Sequence, residues 1–401
     1  MRITNSYFQR YAVDQMARAQ ESIAKYQAQI STGKKLINPS DDPSAVATTE
    51  KLDSALQRMD QYLTNGNSVR QRLSQQEDVF NNLTDTMQRL KELSIQASSD
   101  VLSDDDRRII GAEVKQIQKQ LLDYANTRTP NGEYMFSGSM GKTRPFSLNG
   151  DTVSYHGDQS ETYVQLSDSR RVRLNDTGDM LFQRIRNGNG KFHTDASSLN
   201  TGSGVIDGGV IDSPSNFERK SFEIRFTSAN DYEIIDVTNG GNSAIDSGTY
   251  QDGGPISFNG LTVSISGQPA KDDVFTIAPS KNIDIFSIAN DFANALDLDR
   301  SLDSNTAKAH QTLNNVVNNI DNTLEYVQAR HSDLGARMAY IDTTEEETSS
   351  VKFILDKTRS DIEDTDYAEA ISNLDFQMNT LEAIRQTYAK MQQSSLFDYL
   401  R

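Results

Sequence analysis

The chain has 401 residues and a mass of 44.7 kDa, which favours two to four domains over one compact core. Its 57 Asp and Glu outnumber 40 Lys and Arg, and the net charge of −17 excludes a general electrostatic attraction to nucleic acid or to an anionic membrane. Cysteine and tryptophan are absent, so disulfides, thiolate nucleophiles and Cys-based zinc sites are excluded, and four scattered histidines offer little for catalysis or metal binding.

The opening stretch, Met1 to Arg10, lacks the apolar core of a secretory signal, and no apolar run approaches membrane-spanning length. If the protein leaves the cell, it does so without a recognisable cleavable signal, and no membrane insertion is expected. Nineteen of the 23 glycines lie between residues 131 and 284, which leaves two long flanks poor in helix breakers around a turn-rich centre. The fold class that follows is mainly α with a β insertion: long coiled-coil arms from both termini and a small central β domain.

In the first arm, Ala12, Met16, Ala19, Ile23, Tyr26 and Ile30 keep the alternating steps of four and three of a heptad seam. Ser31-Thr-Gly33 stops that helix. Asn38 to Pro43 then carries the chemistry of a helix start, with Ser40, Asp41 or Asp42 as the cap. A second seam runs through Val69, Leu73, Gln76, Phe80, Leu83, Met87 and Leu90. A third helix is expected from Ser103, where Asp104, Asp105 and Asp106 suit the positive end of its dipole better than they suit a metal.

After Thr129-Pro-Asn-Gly132 the period changes. Phe222, Ile224 and Phe226 alternate, and residues 232–237 are rich in β-formers. Ile256 and Phe258, then Asn259-Gly260, then Leu261, Val263 and Ile265 spell a hairpin on a type I′ turn. The glycines of Thr201 to Val210 lack dinucleotide-binding spacing and read as loop. Residues 141–284 are therefore expected to form a β-rich domain.

The last zone returns to heptads. Leu313, Val317, Ile320, Leu324, Val327, His331, Leu334, Met338 and Ile341 hold the alternation, and Tyr367, Ile371, Leu374, Met378 and Leu381 make another seam. That seam continues, after an irregular step, through Ile384, Tyr388 and Met391. Leu73, Phe80, Leu83, Leu90, Leu313, Val317, Ile320, Leu324, Val327, Leu334 and Met338 are the candidate long-helix packing residues.

The two ends carry opposite charge. Residues 1–40 hold six Lys and Arg against two Asp and Glu, and residues 361–401 hold three against eight. Each has an apolar stripe that an isolated helix cannot bury, so pairing of the ends satisfies both; docking of each end on the body of the protein is the alternative. A two-helix pair has little core to offset the cost of ordering its chain, so the ends are expected to fold fully only beside neighbouring subunits. Met16, Ile23, Tyr26 and Ile30, with Tyr367, Ile371, Leu374, Met378, Leu381, Tyr388 and Met391, are the candidate assembly interface.

Enzyme chemistry is not found. His156, His193, His310 and His331 form no metal-binding pair. Asp297, Asp299, Ser301 and Asp303 begin like a calcium loop, but Leu302 replaces the required Gly and Lys308 stands where the bidentate Glu belongs. No catalytic, cofactor-binding or metal residue is assigned, and no cofactor is expected. A secreted glycan-binding or glycan-cleaving protein would need a carboxylate pair in a pocket, which nothing in the sequence singles out.

Several stretches resemble one family. Arg359-Ser-Asp-Ile-Glu-Asp-Thr-Asp-Tyr-Ala-Glu-Ala-Ile-Ser-Asn-Leu374 is similar to the C-terminal signature of bacterial flagellins. Gln29-Ile-Ser-Thr-Gly-Lys-Lys-Leu-Ile-Asn-Pro-Ser-Asp-Asp-Pro-Ser-Ala45 looks like the corresponding N-terminal turn, and Met87 to Leu93 resembles the first long helix. Tyr134-Met-Phe-Ser-Gly138, Phe258 to Gly267 and the ending Ser395 to Leu400 point to the hook-associated branch of that family. The resemblance implies three parts: residues 1–40 with 361–401 as a terminal coiled-coil core, 41–140 with 285–360 as a long-helix bundle, and 141–284 as an outward β domain. It also implies an extracellular structural adaptor of the bacterial flagellum that joins hook to filament, assembles with itself as a ring and templates flagellin. The implied partners are the first hook-associated junction protein, flagellin and an export chaperone of the flagellar type III apparatus that binds around Leu374 to Leu396. Flagellin itself, a filament homopolymer, is the alternative.

Overall fold

The computed structural model describes residues 2–99, 101–241 and 243–397, with side chains described from residue 7 to 390 apart from Asn239. The chain divides into two compact units, Met1–Asn65 with Thr343–Arg401, and Gly66–Asp342.

The fold is mainly α with a β insertion. Helix α1 (Arg2–Thr32) is followed by the 55-residue α2 (Pro43–Ala97) and by α3 (Asp104–Ala125). The starts obey the cap chemistry of the sequence. The Asp42 carboxylate accepts from the Ser44 and Ala45 N–H groups at 3.0 Å ahead of α2. Ser103 caps α3 in a reciprocal box with Asp106. On the C-terminal side, α5 (Ile285–Asp297), capped by Asp284, is separate from the 61-residue α6 (Asp303–Glu363), and α7 (Tyr367–Phe397) ends the description. The break between α5 and α6 falls on the Asp297 to Asp303 stretch that mimics a calcium loop, and there it serves as a turn.

The β insertion begins with two small ribbons. Strand β1 (Phe146–Asn149) pairs with β2 (Thr152–Tyr155), and β3 (Tyr163–Gln165) pairs with β4 (Arg171–Arg173). A short helix, α4 (Gly178–Phe182), leads into β5 (Ile185–Arg186). The main sheet is antiparallel in the order β11-β10-β9-β14-β6, from β6 (Phe192–Ala196), β9 (Phe222–Phe226), β10 (Asp231–Asp236), β11 (Ser243–Thr249) and β14 (Val274–Pro279). A second sheet joins β7 (Val205–Ile206), β8 (Val210–Ile211), β12 (Pro255–Phe258) and β13 (Leu261–Ser266). Asn259 and Gly260 turn β12 into β13 with φ of 48° and 70°, the left-handed pair a type I′ turn requires. Finally β15 (Asn282–Ile283) pairs with β5 and closes the insertion.

The unit Gly66–Asp342 holds two separate apolar cores. One lies among α2, α3, α5, α6 and the first ribbons, with Phe146 at 5.4 Å from both Phe182 and Phe286, ring centre to ring centre. The other lies between the two sheets, where Phe226 meets Phe275 and Tyr250 edge-on. Each fully buried Phe contributes about 1.5–3 kcal/mol relative to exposure, so either core is a substantial stabilising centre.

Candidate assembly interface

The unit formed by the two chain ends is organised at one turn. Helix α1 stops at Gly33, whose φ of +71° puts it in the left-handed region. The strand-like exit of residues 34–35 lies antiparallel to the break between α6 and α7: the Lys35 N–H donates to the Glu363 carbonyl at 2.6 Å, and the Thr365 N–H to the Gly33 carbonyl at 2.9 Å. Lys34 forms an ion pair with Glu363, and the Asp366 carboxylate caps α7 by accepting from Ala368 and Glu369. Lys25 reaches Asp41 at 3.0 Å and, with the Asn38 N–H, holds the Asp41 carboxyl below its ordinary value. The two stretches with the strongest family signature are thus one hydrogen-bonded corner.

From that corner α1 and α7 run as a pair. Ala19 and Gln29 are buried on α1, while Met16, Ile23, Tyr26 and Ile30 are half-buried. On α7, Ala370 and Leu381 are buried, and Leu374, Gln377, Ile384 and Tyr388 are half-buried. Tyr367, Ile371 and Met378 are 52%, 48% and 51% exposed. Met391 lies in α7, outside the residues whose side chains are described.

The pair therefore buries a face through Ala370 and Leu381 and leaves much of its apolar surface open. Phe376 is 66% exposed, and Tyr7, Phe8, Tyr11 and Val13 are exposed on α1. None of these five belongs to the seams read from the heptads, because a two-helix seam selects one stripe and gives no signal for a second. A groove of about 650 Å³ runs along the pair, floored by Ile23, Met378 and Leu381 and flanked by Glu382 and Arg385.

The bundle residues are placed differently. Leu73, Phe80, Leu83, Leu90, Leu313, Ile320, Val327 and Leu334 are fully buried in the helical core, and Leu324 and Met338 are partly buried against it; Val317 is half-buried, and its neighbour Val316 takes the core position. His331 stacks on Phe80 at 5.9 Å between centroids and lies 3.6 Å from Glu77, which makes it a packed core-edge residue.

The unit Gly66–Asp342 also contains a loop that the sequence marked without explaining. Met135 and Phe136 are buried, and Gly138, at φ +69°, is approached so closely by Asp158 that a Cβ has no room. Asp158 accepts from the Ser139 N–H and hydroxyl and from the Ser160 N–H, which lowers its pKa. The Tyr155 hydroxyl donates to the Phe136 and Asp158 carbonyls at 3.0 and 2.7 Å, and burial pushes its pKa up to about 12. Among the described residues no group of three or more metal-ligating side chains converges.

Two family descriptions match the arms: the bacterial flagellin N-terminal helical region over residues 3–140 and the C-terminal helical region over 317–400. The crystal structure of FlgL from Xanthomonas campestris is 31% identical, superposes with a TM-score of 0.72, and has 99% of its length covered by 77% of this chain. The chain belongs to the FlgL family of flagellar hook-associated proteins, within the flagellins. A second FlgL-family structure, flagellar hook-associated protein 3 from Legionella pneumophila, is 31% identical with a TM-score of 0.74, covering 78% of this chain and 98% of that one. Flagellar hook-associated protein 3 of Escherichia coli (strain K12) is 36% identical over 161 residues, 40% of this chain and 50% of that protein. For the Salmonella typhimurium (strain LT2) protein of that name the figures are 31% over 185 residues, 46% and 58%. The chain thus matches about half the length of these two FlgL-family relatives.

Proposed function

We propose that this protein is a structural adaptor of the bacterial flagellum that joins hook to filament, assembling as a ring through its terminal helices and templating flagellin. The observation that carries this reading is the apolar surface left open by the α1–α7 pair: Tyr7, Phe8, Tyr11 and Val13 on one helix, Tyr367, Ile371, Phe376 and Met378 on the other. Exposed apolar side chains in such number on one helix pair mark surface that another molecule covers. The groove beside Ile23, Met378 and Leu381 offers a seat for a neighbouring helix. Family membership supports the flagellum as the place, and a name such as hook-associated protein supports the junction with the hook.

Its partners in this reading are the first junction protein below, flagellin above, further copies beside it, and an export chaperone that holds the α7 segment before assembly. Electron microscopy of hook tips in a strain lacking this protein tests the reading. Bare hooks with flagellin shed into the medium, restored to filaments by the intact chain, are expected. Normal filaments in that strain would refute it.

A further inference from the structure

Within the unit Gly66–Asp342, the two-sheet part of the insertion, residues 187–281 (here the β domain), meets α6 through polar groups. Chain enters and leaves it through one two-stranded neck, in which Ile185 and Arg186 of β5 pair with Ile283 and Asn282 of β15. Beyond the neck, α6 presents a ladder of side-chain amides, Gln311, Asn315, Asn319 and Asn322, at steps of four, four and three, hence on one helix face. Gln311, Asn319 and Asn322 hold β-domain backbone, and Asn315 reaches the Asp195 side chain. The Gly188 N–H donates to Asn319 Oδ1 at 2.9 Å, and Asn322 Nδ2 donates to the Arg186 and Gly188 carbonyls at 3.0 and 2.6 Å. The Ile206 N–H donates to Gln311 Oε1 at 2.9 Å. The apolar cores on the two sides share no residue. A cavity of about 350 Å³, lined by His193, Asp195, Asn315 and Asn319 among others, lies within the seam.

We infer that this seam is a release joint: the β domain undocks from α6 and swings on the β5–β15 neck while both cores stay folded. The physical reason is the kind of bond that closes it. An amide-to-backbone hydrogen bond contributes little net stability, because water replaces it when it opens, and a polar cavity already gives water a foothold. Opening an apolar interface carries no such compensation. Polar interfaces between domains of one chain accordingly permit motion, and sub-global opening is drawn from such low-stability contacts. The joint is a property of the single subunit and stands whether or not the assembly reading holds.

Hydrogen exchange on the full chain tests it. The Gly188 and Ile206 N–H groups, bonded to amides of α6, are expected to exchange at least tenfold faster than the Ile224 and Phe275 N–H groups inside the main sheet and than the Leu313 N–H within α6. A Cβ at Gly208 would lie 2.7 Å from Asn318 Nδ2 and 3.4 Å from its Cγ, so Gly208→Cys with Asn318→Cys places two thiols across the seam in a chain with no other cysteine. Oxidising that pair is expected to slow Gly188 and Ile206 at least tenfold and leave the sheet and helix amides unchanged, and reduction restores them. In Asn322→Ala the Gly188 and Ile206 N–H groups are expected to exchange several-fold faster with the sheet amides unaltered. Seam amides as protected as those of the sheet, or seam and sheet amides that accelerate together in Asn322→Ala, would overturn the inference.

Discussion

The hydroxyl of Tyr367, the first residue of α7, closes over Gly33, the residue that ends α1: a Cβ built on that glycine would stand 2.9 Å from Tyr367 Oη. Gly33 is also in the left-handed region at φ +71°. Gly33→Ala is expected to cost about 1–2 kcal/mol from backbone strain alone. The loss falls on the corner that joins α1 to α7, so exchange of the Lys35 and Thr365 N–H groups is the measurement. It should rise in the variant while the Gly66–Asp342 unit keeps its protection.

Met378 and Ile371 test the assembly face. Both are exposed, so Met378→Asp or Ile371→Asp is expected to leave the isolated chain within about 0.5 kcal/mol of its original stability. A carboxylate in an apolar contact that excludes water must be desolvated without a partner, so incorporation at hook tips should be lost. Circular dichroism melts alongside electron microscopy of hooks separate the two effects. The substitution Leu374→Asp reaches the half-buried side of the same helix and should additionally loosen the pair.

Asp176 and Arg337 form a buried ion pair at 2.5 Å, and Arg173 stands 3.0 Å from the other carboxylate oxygen. Asp176→Ala removes the buried carboxylate that both guanidinium groups face while Glu161 and Asp333 remain beside them, so about 1–3 kcal/mol of destabilisation is expected. Denaturant melts of the variant and the original chain measure it. Asp176→Asn, which keeps the shape and some hydrogen bonding, should cost less.

Gln76 runs the other way. It is fully buried in the helical part of the unit, and among the described residues neither its amide nitrogen nor its oxygen has a hydrogen-bond partner. Gln76→Leu removes an unsatisfied pair of polar atoms, so stability should rise by about 1–3 kcal/mol, visible as a higher denaturation midpoint with an unchanged slope.

Acid sensitivity should be traceable to Asp158. Its hydrogen bonds from Ser139 and Ser160 lower its pKa in the folded chain, so the native state binds that proton more weakly than the unfolded chain does. The associated stability is present above the ordinary carboxyl value and is lost as pH falls below about 4. Asp158→Asn should flatten that acid limb in melts taken across pH 2–6, and an unchanged pH profile would show that the loop does not contribute.

The parts legible in the sequence are those where one residue does one local job. Asn259-Gly260 dictated its hairpin through two left-handed positions, Ser103 its helix start, and Gly33 its helix end. Long apolar periodicity located Phe80, Leu83 and Leu313 in the core. Non-local pairing was not readable: β14 bridges β9 and β6, strands about fifty and eighty residues earlier in the chain, and no local pattern states that choice. The faces of α7 were only partly readable. Small Ala370 turns inward where close helix approach suits it, and bulkier Tyr367, Ile371 and Phe376 turn outward, which a hydrophobicity period cannot distinguish.

Purified hooks carrying the first junction protein, mixed with this chain and viewed by electron microscopy, give the most direct test of the central claim. The expected outcome is a single added layer at each hook tip, with no further growth until flagellin is supplied. Extended filaments grown from this chain alone, or hook tips left uncovered, would contradict it.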